Sequence, residues 1–141
     1  MQKTMANPSL IRLRKVADLS DERGGLSVIE RQDSLPFLVR RVYWIYGTKD
    51  GVSRGFHAHR ALKQACVCVA GSVRVLMFDG MNAESVTLSP SSGVLDIPPM
   101  VWHEMHDFSP DCILAVFASA EYDESDYIRD RDQFIRHVHS S

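Results

Sequence analysis

Three histidines carry the main chemical signal in this chain of 141 residues. A single residue separates His57 from His59, and His103 lies much later in the sequence. Side chains two residues apart in a β-strand point to the same face of a sheet, so His57 and His59 should project side by side. A later strand could bring His103 opposite them. Three imidazoles facing one cavity would form either a metal site or an acid–base site.

The residues around these histidines resemble the two sequence motifs of the cupin superfamily. The first motif is Gly, five residues, His-x-His, three or four residues, Glu, six residues and Gly, and here it runs from Gly51 to Gly71. The second is Pro-x-Gly-x-x-His, and here it spans residues 98–103. Gln64 occupies the Glu position and Met100 the second-motif Gly position. Because a neutral amide is a poor substitute for a carboxylate around a divalent cation, Gln64 favours a site without metal.

Composition and charge narrow the class of protein. Hydrophobic residues make up 45% of the chain and charged residues 24%, which is typical of a soluble globular domain. A net charge of −2 gives no broad basic surface for nucleic acid or membranes. No apolar run approaches the ~20 residues of a membrane span, and the first residues lack a secretory signal. We therefore expect one cytoplasmic domain over residues 1–141, with its three cysteines packed in the core rather than in disulfides.

The pattern of short apolar runs predicts a mostly β fold. These runs are separated by Gly, Pro, Asp, Asn and Ser, which favour turns. Strands this short and this evenly spaced indicate a sandwich or barrel, and together with the histidine motifs they predict an all-β cupin jelly-roll barrel. The predicted strands are Leu26–Glu30, Phe37–Tyr46, Gly55–Ala58, Ala65–Ala70, Ser72–Phe78, Ser85–Leu88, Gly93–Ile97, Trp102–Asp107 and Cys112–Ala118.

The two ends of the chain differ from this pattern. The segment Glu124–His139 is charged, with apolar residues at near-helical spacing, and predicts a short C-terminal helix over about residues 124–138. The first strands precede the first histidine motif and could pair with a second subunit. Such pairing would remove an exposed sheet edge, so we expect a homodimer.

Longer segments are similar to a narrower family, the WxcM-like cupins that act as dTDP-sugar 3,4-ketoisomerases. The segments are residues 41–44, 54–60, 99–108 and 118–129, which include Arg-Gly-Phe-His-Ala-His and Tyr-Asp-Glu-Ser-Asp-Tyr-Ile-Arg. The resemblance implies a cupin without metal or other cofactor, usually a homodimer with exchanged N-terminal strands. It implies that the substrate is dTDP-4-oxo-6-deoxy-D-glucose, whose ketone moves from C4 to C3 for synthesis of a 3-amino-3,6-dideoxy sugar. It also implies that His57 and His59 are the catalytic pair.

This reaction transfers protons within one sugar ring. A base removes the C3 proton, which the C4 ketone makes acidic; an enediol forms, and a proton is delivered to C4. Histidine suits both steps because its unperturbed pKa lies near neutrality, at about 6.5. Either His57 or His59 could be the carbon base. Tyr43 and Arg54 are candidate donors that would stabilise the enediolate.

Other residues are candidates for substrate binding. The pyrophosphate needs local positive charge, which Arg54, Arg60 and Lys63 could supply. Arg54 lies three residues before His57, which in a regular strand is the opposite face. We further expect Trp102 to pack against the sugar or base and His103 to share the pocket. Gln64 and Tyr122 complete the predicted set.

Three alternatives remain open at this point. A metal-dependent cupin, either a dioxygenase or an isomerase, would use His57, His59, Gln64 and His103 as ligands. A non-catalytic cupin could bind a sugar nucleotide without acting on it. A 3,5-epimerase would act on the same substrate, but those cupins use a His–Asp pair on different strands rather than His-x-His. The configuration of the product at C4 is also left open, because a few pocket side chains decide which face of the enediol is protonated.

Overall fold

Short β-strands dominate the fold. A computed structural model of the chain describes residues 9–30 and 35–140. The strands in this part are β1 (Leu13–Arg14), β2 (Ala17–Asp18), β3 (Ser27–Val28), β4 (Arg41–Tyr46), β5 (Arg54–His59), β6 (Gln64–Ala70), β7 (Val73–Phe78), β8 (Ala83–Leu88), β9 (Val94–Ile97), β10 (Trp102–His106), β11 (Ile113–Ala118) and β12 (Tyr127–Ile128). A 3₁₀ turn at Glu124–Asp126 precedes β12, and one α-helix, α1, spans Arg131–His139.

Two antiparallel sheets of five strands each form the body of the fold. One has the strand order β1-β9-β6-β11-β4 and the other β12-β5-β10-β7-β8, while β2 and β3 form a separate hairpin. The main core cluster draws side chains from both sheets, for example Leu114 and Val116 of β11 with Val75 and Met77 of β7. The sheets therefore pack face to face, and the prediction of an all-β jelly roll with a short C-terminal helix is confirmed.

Alternation along the strands determines which side chains enter this core. In β7, Val73, Val75 and Met77 are buried while the residues between them are partly exposed. In β11, Leu114 and Val116 are likewise buried. Each such side chain contributes about 1.5–3 kcal/mol when it is fully removed from water, so the two inner faces hold the sheets together.

Most strand predictions agree with the structure, with differences at the ends. The segment predicted as Phe37–Tyr46 becomes a strand only at Arg41, because Arg41 lies opposite Ala118, where β11 ends. The predicted strand Leu26–Glu30 is reduced to Ser27–Val28. β1, β2 and β12 have two residues each, too few to show the alternation by which a sequence indicates a strand.

The C-terminal helix is shorter than predicted: it begins at Arg131 and not near residue 124. The reason lies in the hydrogen bonds of the preceding segment. Asp123 caps a single 3₁₀ turn, and Tyr127 and Ile128 then pair with β5 as an edge strand. The helix starts only after Asp130, whose carboxylate accepts a hydrogen bond from the Gln133 amide. No helix in residues 9–30 and 35–140 has the length and apolar character needed to span a bilayer.

Candidate active site

Three histidines form a compact cluster between the two sheets. The ring centroid of His57 lies 5.0 Å from that of His59 and 4.6 Å from that of His103. The residues His59 and His103 are each only 2% exposed, whereas His57 is partly accessible. The structure thus brings together the three imidazoles that strand alternation places on one face.

A bulge in β5 makes this arrangement possible. Along β10, His103 and Glu104 are consecutive, but their partners on β5 are His57 and Gly55, so Phe56 is an extra residue in β5. Gly55 and Phe56 both have positive φ angles, of 91° and 61°. The extra residue shifts the alternation, so His57 faces His103 across the ladder.

The same bulge corrects the simple expectation for Arg54. Arg54 pairs with Met105, and Met105 shares its face of β10 with His103. Arg54 therefore lies on the same face of the sheet as His57 and not on the opposite one. Its side chain is exposed, which places it at the rim and not inside the cluster.

Hydrogen bonds at Nδ1 orient each imidazole ring. The Nδ1 atom of His57 lies 3.0 Å from the Gly55 carbonyl oxygen, and that of His103 lies 3.4 Å from the Val101 carbonyl oxygen. A carbonyl can only accept, so Nδ1 carries the proton in both rings. The Nδ1 atom of His59 contacts a carboxylate oxygen of Asp126 at 3.2 Å. These contacts leave the three Nε2 atoms available for a substrate.

Burial keeps the cluster neutral. Burial, together with charge repulsion from the neighbouring His57 and His59, lowers the pKa of His103 to about 3. Burial, followed by repulsion from His59, lowers the pKa of His57 to about 4. The pKa of His59 is also lowered by burial, but the Asp126 carboxylate opposes that shift. At neutral pH the three rings are therefore uncharged and able to accept protons.

Tyr127 forms one wall of the cluster and was not in the predicted set. Its ring centroid lies 4.3 Å from that of His59 and 4.9 Å from that of His57. The Arg129 guanidinium carbon lies 4.2 Å from the centroid of the Tyr127 ring. The predicted residue Tyr122 is more exposed than Tyr127, and the centroids of their two rings lie 5.6 Å apart.

Arg41 is a second residue that sequence reasoning missed. Its guanidinium carbon lies 5.4 Å from the ring of Tyr43 and 5.9 Å from that of Tyr122. Its Nε is buried and has no hydrogen-bond partner within the described chain. Arg41 also lines a cavity of about 180 Å³ together with His59 and Tyr127. Its position two residues before Tyr43 on one strand was the signal that could have identified it.

Gln64 and Tyr43 are linked inside the fold. The Gln64 amide nitrogen donates to the Tyr43 hydroxyl at 3.0 Å, and burial raises the pKa of this phenol. Tyr43 is therefore a protonated donor near neutrality. Gln64 and Lys63 also line a larger cavity, of about 960 Å³, whose other basic residues are Arg12 and Arg14.

Trp102 and Arg60, like Arg54, lie outside the cluster. Trp102 is adjacent to His103 in β10 and so points to the other face, where its ring packs 5.9 Å from that of Phe134. Its position under α1 does not support a role in lining the histidine cavity. Arg60 is exposed just after β5, where its backbone amide donates to the Asp126 carbonyl.

His106 lies on the outer face of β10, as its odd spacing from His103 indicates. Its Nδ1 contacts the Ser53 hydroxyl and its Nε2 the Glu104 carboxylate, both at 2.8 Å. This small network is separate from the three clustered histidines.

The cluster is also compact enough to hold a cation, since one nitrogen from each of His57, His59 and His103 lies within 4.8 Å of the others. Metal-binding cupins add a carboxylate at the position of Gln64. Here that position offers an amide, which is hydrogen-bonded to Tyr43. The donor set is thus three imidazoles without a carboxylate, which departs from the donor set of metal-binding cupins.

Comparison with known protein families adds an independent line of evidence. Residues 6–139 match the family described as FdtA: WxcM-like, C-terminal. A curated relative, the TDP-4-oxo-6-deoxy-alpha-D-glucose-3,4-oxoisomerase of Aneurinibacillus thermoaerophilus, is 48% identical over 118 residues, covering 84% of this chain and 85% of the relative.

Solved structures with the same fold include several 3,4-ketoisomerases. The sugar 3,4-ketoisomerase QdtA of Thermoanaerobacterium thermosaccharolyticum, in complex with TDP, is 37% identical with a TM-score of 0.88; the match covers 93% of this chain and 96% of that one. A 3,4-ketoisomerase from Helicobacter canadensis is also 37% identical with a TM-score of 0.86, over 92% of this chain and 97% of the other.

Proposed function

This chain belongs to the FdtA, WxcM-like C-terminal family, and we propose that it is a TDP-4-oxo-6-deoxy-D-glucose 3,4-ketoisomerase. The observation that carries the proposal is the cluster of three neutral imidazoles, two of them from one His-Ala-His segment. The curated relative with this activity is nearly half identical to the chain over most of its length. The enzyme thus moves the ketone from C4 to C3 of the sugar.

The reaction needs only proton transfers. A neutral imidazole takes the C3 proton, the C3–H electrons form the C3=C4 double bond, and the C4 carbonyl becomes an enolate oxygen that gains a proton. The O3 hydroxyl then loses its proton as the C3 ketone forms, and a proton is added at C4. Electrons balance within the sugar, so no oxidant is required. We assign these transfers to His57 and His59, because both are neutral and adjacent.

Two groups are suited to stabilise the negative charge that develops on the enediolate. Tyr43 presents a protonated phenol held by Gln64. Arg41 presents a guanidinium near the rings of Tyr43 and Tyr122, and its buried Nε has no hydrogen-bond partner among the described residues. Donors that are fixed in place before the reaction stabilise a developing charge without needing to reorient. We therefore add Arg41 to the predicted donor Tyr43, with His103 as a further neighbour of the reacting sugar.

The nucleotide part of the substrate needs a larger space and positive charge. The cavity of about 960 Å³ that Lys63 and Gln64 line has the volume of a site for a ligand of this size. Its basic residues are balanced by Asp79, Glu84 and Asp96, so the positive charge for the pyrophosphate must come from residues outside it. Arg54 at the rim of the sheet and Arg60 after β5 remain candidates for the pyrophosphate, and Tyr122 remains a candidate for sugar or base contact. Arginine pairs with phosphate through two parallel hydrogen bonds, which favours it for this role.

We also propose a homodimer, supported by an apolar outer face on the β4 side of its sheet. Trp44 and Tyr46 are 61% and 69% exposed, and Val42 and Ile113 lie beside them on the same face. Contiguous apolar surface of this kind marks interaction sites. A cytoplasmic location is supported by three unpaired, buried cysteines, since exported proteins commonly form disulfides.

NMR of the reaction with TDP-4-oxo-6-deoxy-D-glucose tests the proposed function. We expect conversion to the 3-oxo isomer, and in D₂O the product should gain deuterium at C4 unless one shielded base returns the same proton. The coupling constants of the C4 proton, read in H₂O, give its configuration. Absence of any 3-oxo product would refute the proposal, and loss of turnover on chelation would point to a metal-dependent cupin.

A further inference from the structure

Asp126 is hydrogen-bonded to His59 at the end of β5 and to the three residues that follow it. One oxygen, Oδ1, accepts the Ala61 amide at 2.8 Å, and the other, Oδ2, accepts the Leu62 amide at 3.1 Å. The same Oδ2 contacts His59 Nδ1 at 3.2 Å. The backbone carbonyl of Asp126 accepts the Arg60 amide at 2.9 Å. This carboxylate is therefore fixed at both oxygens by hydrogen bonds within the chain.

We propose that Asp126 is a positioning residue for the ketoisomerase reaction. It holds His59 in the tautomer with the proton on Nδ1, so that the lone pair of Nε2 faces the substrate. The inference rests on the proposed function, because it assigns a role within that reaction. It adds a residue to the site that the histidine motifs do not contain.

The tautomer follows from the hydrogen-bond donors around Asp126. Backbone amides can only donate, and two of them point at the carboxylate, which is consequently an acceptor on both oxygens. The third neighbour, His59 Nδ1, must then donate as well. Its Nε2 is left without a proton, buried, and with no hydrogen-bond partner in the described parts of the chain. An unprotonated buried nitrogen beside the other two imidazoles is the arrangement that a base requires.

His59 differs from the other two histidines in this respect. The Nδ1 atoms of His57 and His103 face neutral backbone carbonyls, whereas that of His59 faces a carboxylate. A carboxylate stabilises the imidazolium that forms when the ring accepts a proton, which a carbonyl does less well. Around His59, the cations Arg41 and Arg129 oppose this effect, and Tyr127 packs on the ring.

Local backbone structure sets the position of Asp126. It is the last residue of the 3₁₀ turn, and the next two residues pair with β5, Tyr127 opposite His59 and Ile128 opposite Ala58. The ladder therefore fixes the carboxylate relative to His59. The pairing of Tyr127 and Ile128 with β5 is therefore the reason that residues 127–128 form a strand and not the helix that the spacing predicts.

The tautomer itself can be read in the wild-type protein by NMR. Histidine labelled with ¹⁵N gives distinct signals for protonated and unprotonated ring nitrogens, and His59 can be assigned by its absence in a His59→Asn variant. We expect a proton on Nδ1 and none on Nε2 of His59 at neutral pH. A proton on Nε2 with Nδ1 bare would overturn the inference, whatever the activity of the enzyme.

Kinetics of Asp126→Asn supply the second readout. Asparagine keeps the shape but has one oxygen, so it cannot accept from Ala61, Leu62 and His59 together. We expect kcat to fall at least ~10-fold with little change in KM, because a general base contributes ~10²–10⁴-fold. The control is Asp130→Asn, which changes a carboxylate that caps α1 by accepting a hydrogen bond from the Gln133 amide.

The outcomes separate the two claims. A wild-type enzyme without isomerase activity would refute the proposed function and the reaction role of Asp126 with it. An active wild type with equal kcat in Asp126→Asn and Asp130→Asn would refute the positioning role alone. A rise in KM without a fall in kcat would also refute it, since that pattern belongs to lost substrate binding. Thermal unfolding of both variants checks that each is folded at the assay temperature.

Discussion

Identical side chains can have different roles in one site when their hydrogen-bond partners differ. In this cluster His57 and His59 come from the same segment, yet one bonds to a backbone carbonyl and the other to a carboxylate. His106, from the neighbouring strand, points away and bonds to Ser53 and Glu104. The sequence therefore offers both the candidate catalytic pair and a histidine of the same sheet that lies outside the cavity.

Replacing either member of the pair should impair chemistry more than folding. For His57→Asn and His59→Asn we expect kcat to fall at least ~10²-fold, because asparagine cannot relay protons. His106→Asn is the matched control and should keep wild-type kcat. Steady-state kinetics with the 4-oxo sugar nucleotide measure all three. Near-normal turnover in both site variants would remove the pair from the mechanism.

Burial of neutral histidines should make stability depend on pH. The pKa of His57 is about 4 and that of His103 about 3 in the folded protein, below the ~6.5 of an unperturbed histidine. Between these values the unfolded chain binds more protons, so the free energy of unfolding should fall as the pH falls from ~6.5 toward ~4. Above ~6.5 both states are uncharged at these positions and no dependence arises from them.

Urea denaturation at a series of pH values measures this dependence. The comparison is His103→Gln, because the pKa of His103 is lowered further than that of His57. Its overall stability should be lower, but its slope between about pH 6.5 and 4 should be flatter. Equal slopes in the two proteins would show that His103 is not buried in neutral form.

Sequence could predict the histidine cluster but not all of its neighbours. The spacing of His57 and His59, with His103 in a later strand, was enough to bring three imidazoles together. Arg41 shares a face of β4 with Tyr43, so strand spacing could have identified it, whereas Asp126 reaches His59 from the C-terminal segment and has no such signal. Strand alternation predicts which side chains of one strand share a face. It does not predict which distant segments pair with each other.

At the scale of elements, the bulge in β5 decides where His57 points. Gly55 lies at a positive φ angle of 91°, and a side chain there would place its Cβ only 2.9 Å from the His103 carbonyl oxygen. That oxygen belongs to the ladder opposite the bulge, so it cannot move away freely. A local irregularity of one residue therefore helps to set the geometry of the candidate active site.

Gly55→Ala should lower both stability and activity. Gly51→Ala is the control, because Gly51 also has a positive φ angle, of 77°, but a Cβ added there would meet nothing within 4 Å. Both variants lose about 1 kcal/mol from backbone strain, and Gly55→Ala should lose more because of the contact with His103. We expect a clear drop in kcat for Gly55→Ala alone, measured with denaturation and kinetics side by side. Equal effects of the two substitutions would contradict a role for the bulge in positioning His57.

The C-terminal segment shows where element prediction failed. Its charged and apolar residues follow near-helical spacing from Glu124 onward, yet the helix begins at Arg131. Tyr127 and Ile128 instead add an edge strand to β5. Periodicity alone could not reveal this, because a two-residue strand depends on a partner far away in the sequence. The later half, where Phe134 packs on Trp102, did form the predicted helix on the outside of the jelly roll.

At the scale of the whole molecule, the fold was predictable because apolar and polar residues alternate along the strands of both sheets.

The same alternation places an apolar row on the outer face of β4. Val42, Trp44 and Tyr46 alternate with the inward-facing Tyr43 and Ile45, and they remain accessible in the single chain. An apolar row on a strand at the edge of its sheet would be an aggregation hazard if it stayed uncovered. A second copy of the chain would cover it in a symmetric way.

Trp44→Lys should therefore dissociate the proposed dimer. Trp44 lies in the middle of the exposed row and is 61% accessible, so the substitution places a charge at an apolar interface without disturbing the core. Met81→Lys is the control: Met81 is 79% exposed, but it lies outside this row, near β8. Analytical ultracentrifugation should give a dimer for the wild type and for Met81→Lys, and a monomer for Trp44→Lys. A monomeric wild type would refute the dimer, and a dimeric Trp44→Lys would move the interface to another face of the molecule.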